Sequence, residues 1–478
     1  MGSGQSDGVS LADGSSSAMG SGQADSAALS DSKSAAAGSG QADSVALSDS
    51  ESALVGSAQS DSASLSDAVA ASPGPAQSDS ASLSDAVAAS AARAGADALA
   101  LSDEATPALT PATTTTTAPP PGFGAEAEFL SAGAASYVSA AALSATVFVV
   151  AYADGADSGH GTARVGTVSG TAVTFGAEAE FLSADGAYYV SAAALSATQF
   201  VVAYADAADA GHGTAKVGTV SGASIAFGAE AEFLSASTNS VSAAALSATQ
   251  FVVAYSDGAD AGHGTAKVGT VSGTAITFGA EAEFQSAAGG AGSVSAAALS
   301  ATAFVVAYRD YGDASHGTAK VGAVSGTSIT FGAEAEFLPA AASYVSAAAL
   351  GAGKFVVAYR DEGGSNHGKA KAGAVSGTSI TFGGESEFQG VDGNTEYISA
   401  AALSADEFVV AYSDLTDSGH GTAKVGTVSG AAIAFGAEAE YNTGSTEYNA
   451  IVALGAAKFA VAFRDASDSG HGTAKVWA

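Results

Sequence analysis

Seven histidines occupy one recurring position in this chain, and their spacing limits the fold more than any other feature. His160, His212, His263, His316, His367, His420 and His471 follow one another at intervals of 52, 51, 53, 51, 53 and 51 residues. Six residues before each stands an aspartate: Asp154, Asp206, Asp257, Asp310, Asp361, Asp414 or Asp465. Four residues after each stands a base, Arg164 or Lys216, Lys267, Lys320, Lys371, Lys424 and Lys475. A period of this length is one supersecondary unit copied in tandem, and a site belonging to the unit recurs with it.

Residues 188–233 represent the unit. A small apolar segment (YVSAAALS) is followed by a β-branched and aromatic one ending in an acid (FVVAYAD). An alternating segment (GTAKVGTVS), a Ser-Gly turn and a last segment (IAFGAEAEF) complete it. These read as four short strands with no helical period, the third and fourth joined by a tight hairpin.

Four strands in about fifty residues, seven times over, are the signature of a β-propeller. The ends of the array are complementary. Phe123 to Phe129 (FGAEAEF) is a fourth-strand sequence without its three predecessors, and the last unit stops at Lys475-Val476-Trp477-Ala478, after its third strand. Joined, they complete a seventh blade and remove the free sheet edges. The expected fold is therefore all-β, a seven-bladed β-propeller of four-stranded blades over residues 123–478, closed by its N-terminal strand. The Ser-Ala-Ala-Ala-Leu segment suits the crowded innermost strand, and Phe-Val-Val-Ala-Tyr suits a strand buried on both faces. In the fourth strand Glu126 and Glu128 share one parity, which reads as a solvated acidic face on a structural strand.

The N-terminal quarter has a different period. Asp7, Asp25, Asp43, Asp61, Asp79 and Asp97 recur every 18 residues, and so do Leu11, Leu29, Leu47, Leu65, Leu83 and Leu101. Each unit of residues 1–106 carries only one or two sizeable apolar side chains, few against the entropy of ordering a globular core. This low-complexity repeat reads as a stalk, either disordered or fibrous. The Thr- and Pro-rich residues 107–122 read as a stiff linker.

Charge and composition exclude several classes. The chain has 48 acids and 15 bases, a formal charge of −33, which argues against nucleic acid and anionic membranes. No run of 18 apolar residues suggests a membrane span, the N-terminus lacks the pattern of a secretory signal, and cysteine is absent. A virion-associated location, or an extracellular one reached by a non-classical route, fits these features. An acid excess with scarce lysine also fits adaptation to high salt.

The repeated loop from aspartate to histidine carries a recurring polar constellation. A second carboxylate follows the first by three residues at Asp157, Asp209, Asp260, Asp313, Asp417 and Asp468, with Gly364 in its place in the fifth unit. Three readings stay open. In one the loop is turn chemistry, with aspartate accepting from loop amides. In another, two carboxylates and loop carbonyls hold calcium, although the dense ligand run of strong calcium loops is missing. Zinc would need ligands to converge, and one histidine per blade spreads them around a ring. In the third, Asp154/His160, Asp206/His212, Asp257/His263, Asp310/His316, Asp361/His367, Asp414/His420 and Asp465/His471 contact a ligand such as a sugar, one set per blade, with avidity from repetition. Catalysis is not expected, because it calls for one asymmetric set of groups with separated pKa values. Arg309, Arg360 and Arg464, with Tyr311, Glu362 and Lys369, break the sameness of units four, five and seven without forming a catalytic set.

On its Phe-Val-Val-Ala-Tyr-x-Asp, His-Gly-Thr-Ala-Lys-Val-Gly and Ser-Gly-Thr-x-Ile-Thr-Phe-Gly elements, the chain resembles the tandem-repeat β-propellers of bacterial, viral and environmental surface or fibre proteins. Its Asp-x-Gly-His-Gly-Thr loop is similar to the Asp-box of sialidase-like propellers, with an extra residue and without the closing aromatic. Its Phe-Gly opening is similar to integrin-type repeats, without their calcium run. Neither similarity carries a site across. The expectation is a non-enzymatic, multivalent binding or adhesion head on a stalk, with a glycan or surface macromolecule as partner. The alternative is a purely structural repeat protein of a virion, coat or matrix.

Overall fold

The computed structural model describes residues 122–390 and 394–478, together with the backbone of short strand segments between residues 9 and 102. The chain divides into two units, 1–116 and 117–478. In the first, described strands pair in parallel with the strand one repeat further on, so that Leu11 is in register with Leu29, and Leu29 with Leu47. The linker expected at 107–122 lies outside the described residues except for Gly122.

The second unit is the expected seven-bladed propeller. In the first blade Ala135–Ala142, Val147–Asp154 and His160–Ser169 run antiparallel in that order, and two short pieces, Ala172–Phe175 and Ala179–Leu182, both pair with His160–Ser169 as the outer strand. Each inner strand packs against the next, and that of the seventh blade packs against that of the first, so the ring is closed. The closure uses the strand anticipated from the sequence: Ala127 pairs with Ala474 and Phe123 with Trp477.

Residue type explains the layers. Phe200, Val201, Val202, Ala203 and Tyr204 of the second strand are fully buried, as a strand covered on both faces requires. Small residues of the inner strand let blades meet through the backbone. The amide of Ala192 donates to Ser139 Oγ of the preceding blade at 3.0 Å, and Ala243, Ala296, Ala347, Ala400 and Ile451 repeat the bond with Ser191, Ser242, Ser295, Ser346 and Ser399. Both glycines of the His-Gly-Thr-Ala-Lys-Val-Gly element lie under aromatic rings. A Cβ on Gly264 would stand 2.2 Å from the Phe284 ring, and one on Gly269 would stand 2.3 Å from Phe251. The third and fourth strands join through a two-residue turn whose glycine, Gly170 in the first blade, has φ of 63°. Among the described residues no helix is long and apolar enough to cross a membrane.

Candidate functional site

The aspartate that opens each repeated loop is turned inward. Asp154, Asp206, Asp257, Asp310, Asp361, Asp414 and Asp465 are 3–5% exposed. Each carboxylate accepts from a loop amide at 2.8–3.0 Å, that of Ala156, Ala208, Ala259, Gly312, Gly364, Thr416 or Ser467. In the first, second and sixth blades the aspartate caps a single 3-10 turn that ends on a left-handed residue such as Ser158. The far end of each loop serves the next blade. The carbonyls of Gly159, Gly211, Gly262, Ser315, Asn366, Gly419 and Gly470 accept from Ala187, Thr238, Ala291, Ala342, Thr395, Thr446 and Ala135 at 2.9–3.2 Å, one bond at every junction of the ring. These aspartates are thus held by the loop, which in turn ties blade to blade. Burial raises the pKa of Asp206, and the bond from Ala208 opposes that shift.

Each histidine stands opposite its aspartate in strand register, as Asp154 does His160, but its Nδ1 faces other acids. His160, His212, His263, His316, His420 and His471 lie 3.1–3.4 Å from the second loop acid, Asp157, Asp209, Asp260, Asp313, Asp417 or Asp468. All seven also lie 2.9–4.0 Å from a glutamate of the outer strand: Glu180, Glu232, Glu283, Glu336, Glu387, Glu440 or Glu128. The acidic face that parity assigned to solvent is therefore also the histidines' partner. A hydrogen bond to Glu232 raises the pKa of His212. The base four residues on is used between blades: Lys216 Nζ donates to the Phe181 carbonyl of the preceding blade at 2.6 Å and pairs with Glu230 at 3.3 Å. Lys267 and Lys424 do the same with Phe233 and Phe388.

The loops share one end of the ring with the starts of the inner strands, since the Gly155 amide donates to the Ala134 carbonyl at 2.9 Å. There every inner strand has a register shift at a left-handed residue: Tyr137, Tyr189, Ser240, Ser293, Tyr344, Tyr397 and Tyr448, with φ of 47–52°. The five tyrosines belong to five consecutive blades of the closed ring, from the fifth through the seventh to the second. Ring centroids are 5.4, 5.2, 5.4 and 5.4 Å apart along Tyr344, Tyr397, Tyr448, Tyr137 and Tyr189. The two serines leave the third and fourth blades without this ring. Burial, reinforced by Tyr448 and Tyr189, pushes the Tyr137 phenol up to about 12, so it keeps its proton at physiological pH. Tyr188 adds an exposed ring 5.6 Å from Tyr137, beside a pocket of about 130 Å³ that Ser136 and Ser158 also line.

The arginines that depart from the repeat lie on this arc, in the fifth and seventh blades, and in the fourth blade beside it. Arg309 reaches Glu362 at 3.1 Å in the next blade, and Arg360 reaches Glu362 at 3.3 Å and Glu396 at 3.0 Å. Arg360 also lies over the Tyr344 ring at 4.9 Å, and Arg464 pairs with Glu447 at 3.0 Å. Sequence reading found the aspartates, histidines and arginines. It assigned the outer-strand glutamates to solvent rather than to the histidines, and it did not single out the shared position of the five tyrosines. Aligning the units on the inner strand would have shown the latter, two residues before Ser139, Ser191, Ser346 and Ser399 and before Ala450 in the seventh unit.

No family model matches the sequence, and no curated protein does either. Solved structures resemble it in fold. A mutant of Aleuria aurantia lectin in complex with Fucalpha1-6GlcNAc matches with a TM-score of 0.40 and 16% identity, over 65% of this chain and 97% of that one. NanB sialidase from Streptococcus pneumoniae matches with a TM-score of 0.43 and 11% identity, over 73% of this chain and 68% of that one. A protein of unknown function from Dyadobacter fermentans matches with a TM-score of 0.42 and 10% identity, over 74% and 98%.

Proposed function

We propose that the propeller is a non-enzymatic binding head that engages a glycan, on a cell or virion surface, through the end of the ring that carries the loops and tyrosines. The observation that carries this reading is the arc Tyr344–Tyr397–Tyr448–Tyr137–Tyr189. Aromatic faces stack on the apolar face of a sugar, and phenol hydroxyls with neighbouring carboxylates and guanidinium groups hydrogen-bond its rim. Burial raises the phenol pKa of Tyr137, Tyr344, Tyr397 and Tyr448, which keeps them donors at neutral pH. The repeated loops would hold this platform rigid rather than bind through their aspartates, while the half-buried histidines face the surface beside it.

The test is a glycan-array screen of the full chain, with calcium and with chelator, followed by Tyr344→Ala/Tyr397→Ala/Tyr448→Ala. Binding in both conditions that the triple variant loses, with its melting temperature kept, supports the reading. A blank array, or binding indifferent to the triple variant, sinks it. A second reading, the purely structural repeat, is favoured by the use of every loop aspartate and every loop-end carbonyl in holding the ring together. It predicts the blank array.

A further inference from the structure

We propose that six His–Asp–Glu triads at the loop end of the ring, one in every blade but the fifth, each bind a first-row divalent cation of the zinc type. The inference is independent of glycan binding. Its starting point is a convergence that the sequence spacing hides. Asp157, His160 and Glu180 place one ligand atom each within 4.8 Å of one another, as do five further sets, among them Asp209/His212/Glu232 and Glu128/Asp468/His471. The aspartate and histidine come from the loop and the glutamate from the outer strand. The last set closes across the ring, its histidine and glutamate 343 residues apart.

The donor set is specific in kind. One imidazole nitrogen and two carboxylates make three protein ligands, leaving a fourth position for water. A nitrogen donor in every set favours zinc-like ions over calcium or magnesium, which take oxygen. Nδ1 of His160 and of His263 is buried and has no hydrogen bond of good geometry, although carboxylate oxygens stand 3.1 and 3.2 Å away. These two nitrogens face carboxylates with no aligned hydrogen bond between them, the arrangement a cation would satisfy. In His212, His316, His420 and His471 the same nitrogen is 2.9–3.4 Å from its glutamate. Six divalent ions would also offset twelve of the 33 excess negative charges.

The fifth blade is an internal control. Gly364 stands where the second acid would be, and Lys369 replaces the threonine found at Thr162, Thr214, Thr265, Thr318, Thr422 and Thr473. The Lys369 ammonium lies 2.6 Å from Glu385, 2.9 Å from Asp361 and 3.7 Å from Glu387, the glutamate whose other neighbour, at 3.3 Å, is His367 Nδ1. Burial lowers the pKa of this ammonium, but bonds to Glu385 and Asp361 outweigh that and push it up to about 12. One anion is lost and a fixed cation gained together. The blade that lacks the second acid thus places a fixed positive charge beside the triad-position glutamate, Glu387, held there mainly by Asp361 and Glu385.

The experiment is zinc titration of the full chain by calorimetry at pH 7.5, with bound metal counted by elemental analysis after dialysis. The expected stoichiometry is six ions per chain. His212→Gln should bring it to five and His212→Gln/His263→Gln to four, while Gly364→Asp/Lys369→Thr should raise it to seven. Tenfold excess calcium should leave zinc in place. Uptake that does not track the number of triads, absence of saturable uptake, or displacement by calcium would overturn the proposal. Should the fifth-blade variant not fold, the two histidine variants decide the matter alone, since their side chains are partly exposed.

Discussion

Tyr441 and Phe463 meet across the junction of the sixth and seventh blades at 5.1 Å, their planes tilted by 55°, with the ring types reversed relative to every other junction. Elsewhere the outer strand supplies phenylalanine and the next blade supplies tyrosine, as in Phe181–Tyr204 at 5.0 Å and Phe388–Tyr412 at 5.1 Å. One phenol per junction is thus retained, although its strand has changed. Both rings are essentially buried. The Tyr441 phenol donates to the Tyr412 carbonyl at 3.5 Å, as Tyr152 does to the Phe129 carbonyl at 3.3 Å, whereas Tyr204, Tyr255 and Tyr412 have no acceptor in hydrogen-bonding position.

This exchange is open to a double-mutant cycle. Phe463→Tyr alone puts two phenols at one buried junction, and Tyr441→Phe alone leaves none. Each single change should cost about 1–2 kcal/mol, the scale of a buried polar group or hydrogen bond that is not satisfied. The double variant restores the pattern of the other junctions and should return to within about 0.5 kcal/mol of the parent. Denaturant unfolding measures it, and additive single effects would show that the two rings are not coupled.

Glycine position predicts opposite outcomes for one kind of change. Gly264→Ala drives a methyl group into the Phe284 ring and should cost about 1–3 kcal/mol by overpacking. Gly384→Ala meets nothing within 4 Å, carries no positive φ and restores the alanine of the other units, so it should be neutral or stabilise by about 0.5 kcal/mol. Melting curves of the two variants compare them directly.

The His212–Glu232 contact sets a pH dependence. The folded-state pKa of His212 is raised above its ordinary 6.5, so its contribution is fully present below that value and fades as pH rises through the higher, folded one. Stability measured in chelator from pH 5.5 to 8.5 should therefore fall more gently in His212→Gln than in the parent above 6.5. Identical slopes would show that the contact is not linked to folding.

Ring closure rests on a small aromatic group. Phe123 meets Trp477 at 5.1 Å and Tyr441 and Phe459 at 5.7 Å each. Phe123→Ala should lower stability by about 2 kcal/mol, less than a fully buried ring because Phe123 is only partly buried. It should also expose the Ala127–Leu130 strand to proteolysis before the rest of the ring. Cleavage elsewhere first would place the weak point of the ring at another blade.

Much of this architecture was legible in advance because it is local and repeated. The period of the histidines, the buried Phe-Val-Val-Ala-Tyr strand and the Phe-Gly-Ala-Glu-Ala-Glu-Phe fragment at residue 123 lead to blade number, strand order and closure. The loop was read less fully. Asp257 and His263 lie six residues apart and face each other in register, yet the carboxylate bonds the Ala259 amide while His263 lies beside Asp260 and Glu283. The glutamate's place follows from outer-strand pairing, which a spacing of twenty residues does not display.

The sequence alone determined the repeated unit, since alternation of small, apolar and polar residues acts over a few neighbours and survives copying. Only the closed ring decided which residues of different units meet. Glu128 and His471 come together, and so do Tyr448 and Tyr137, because inter-blade burial and the final strand pairing bring the two ends of the array into one blade.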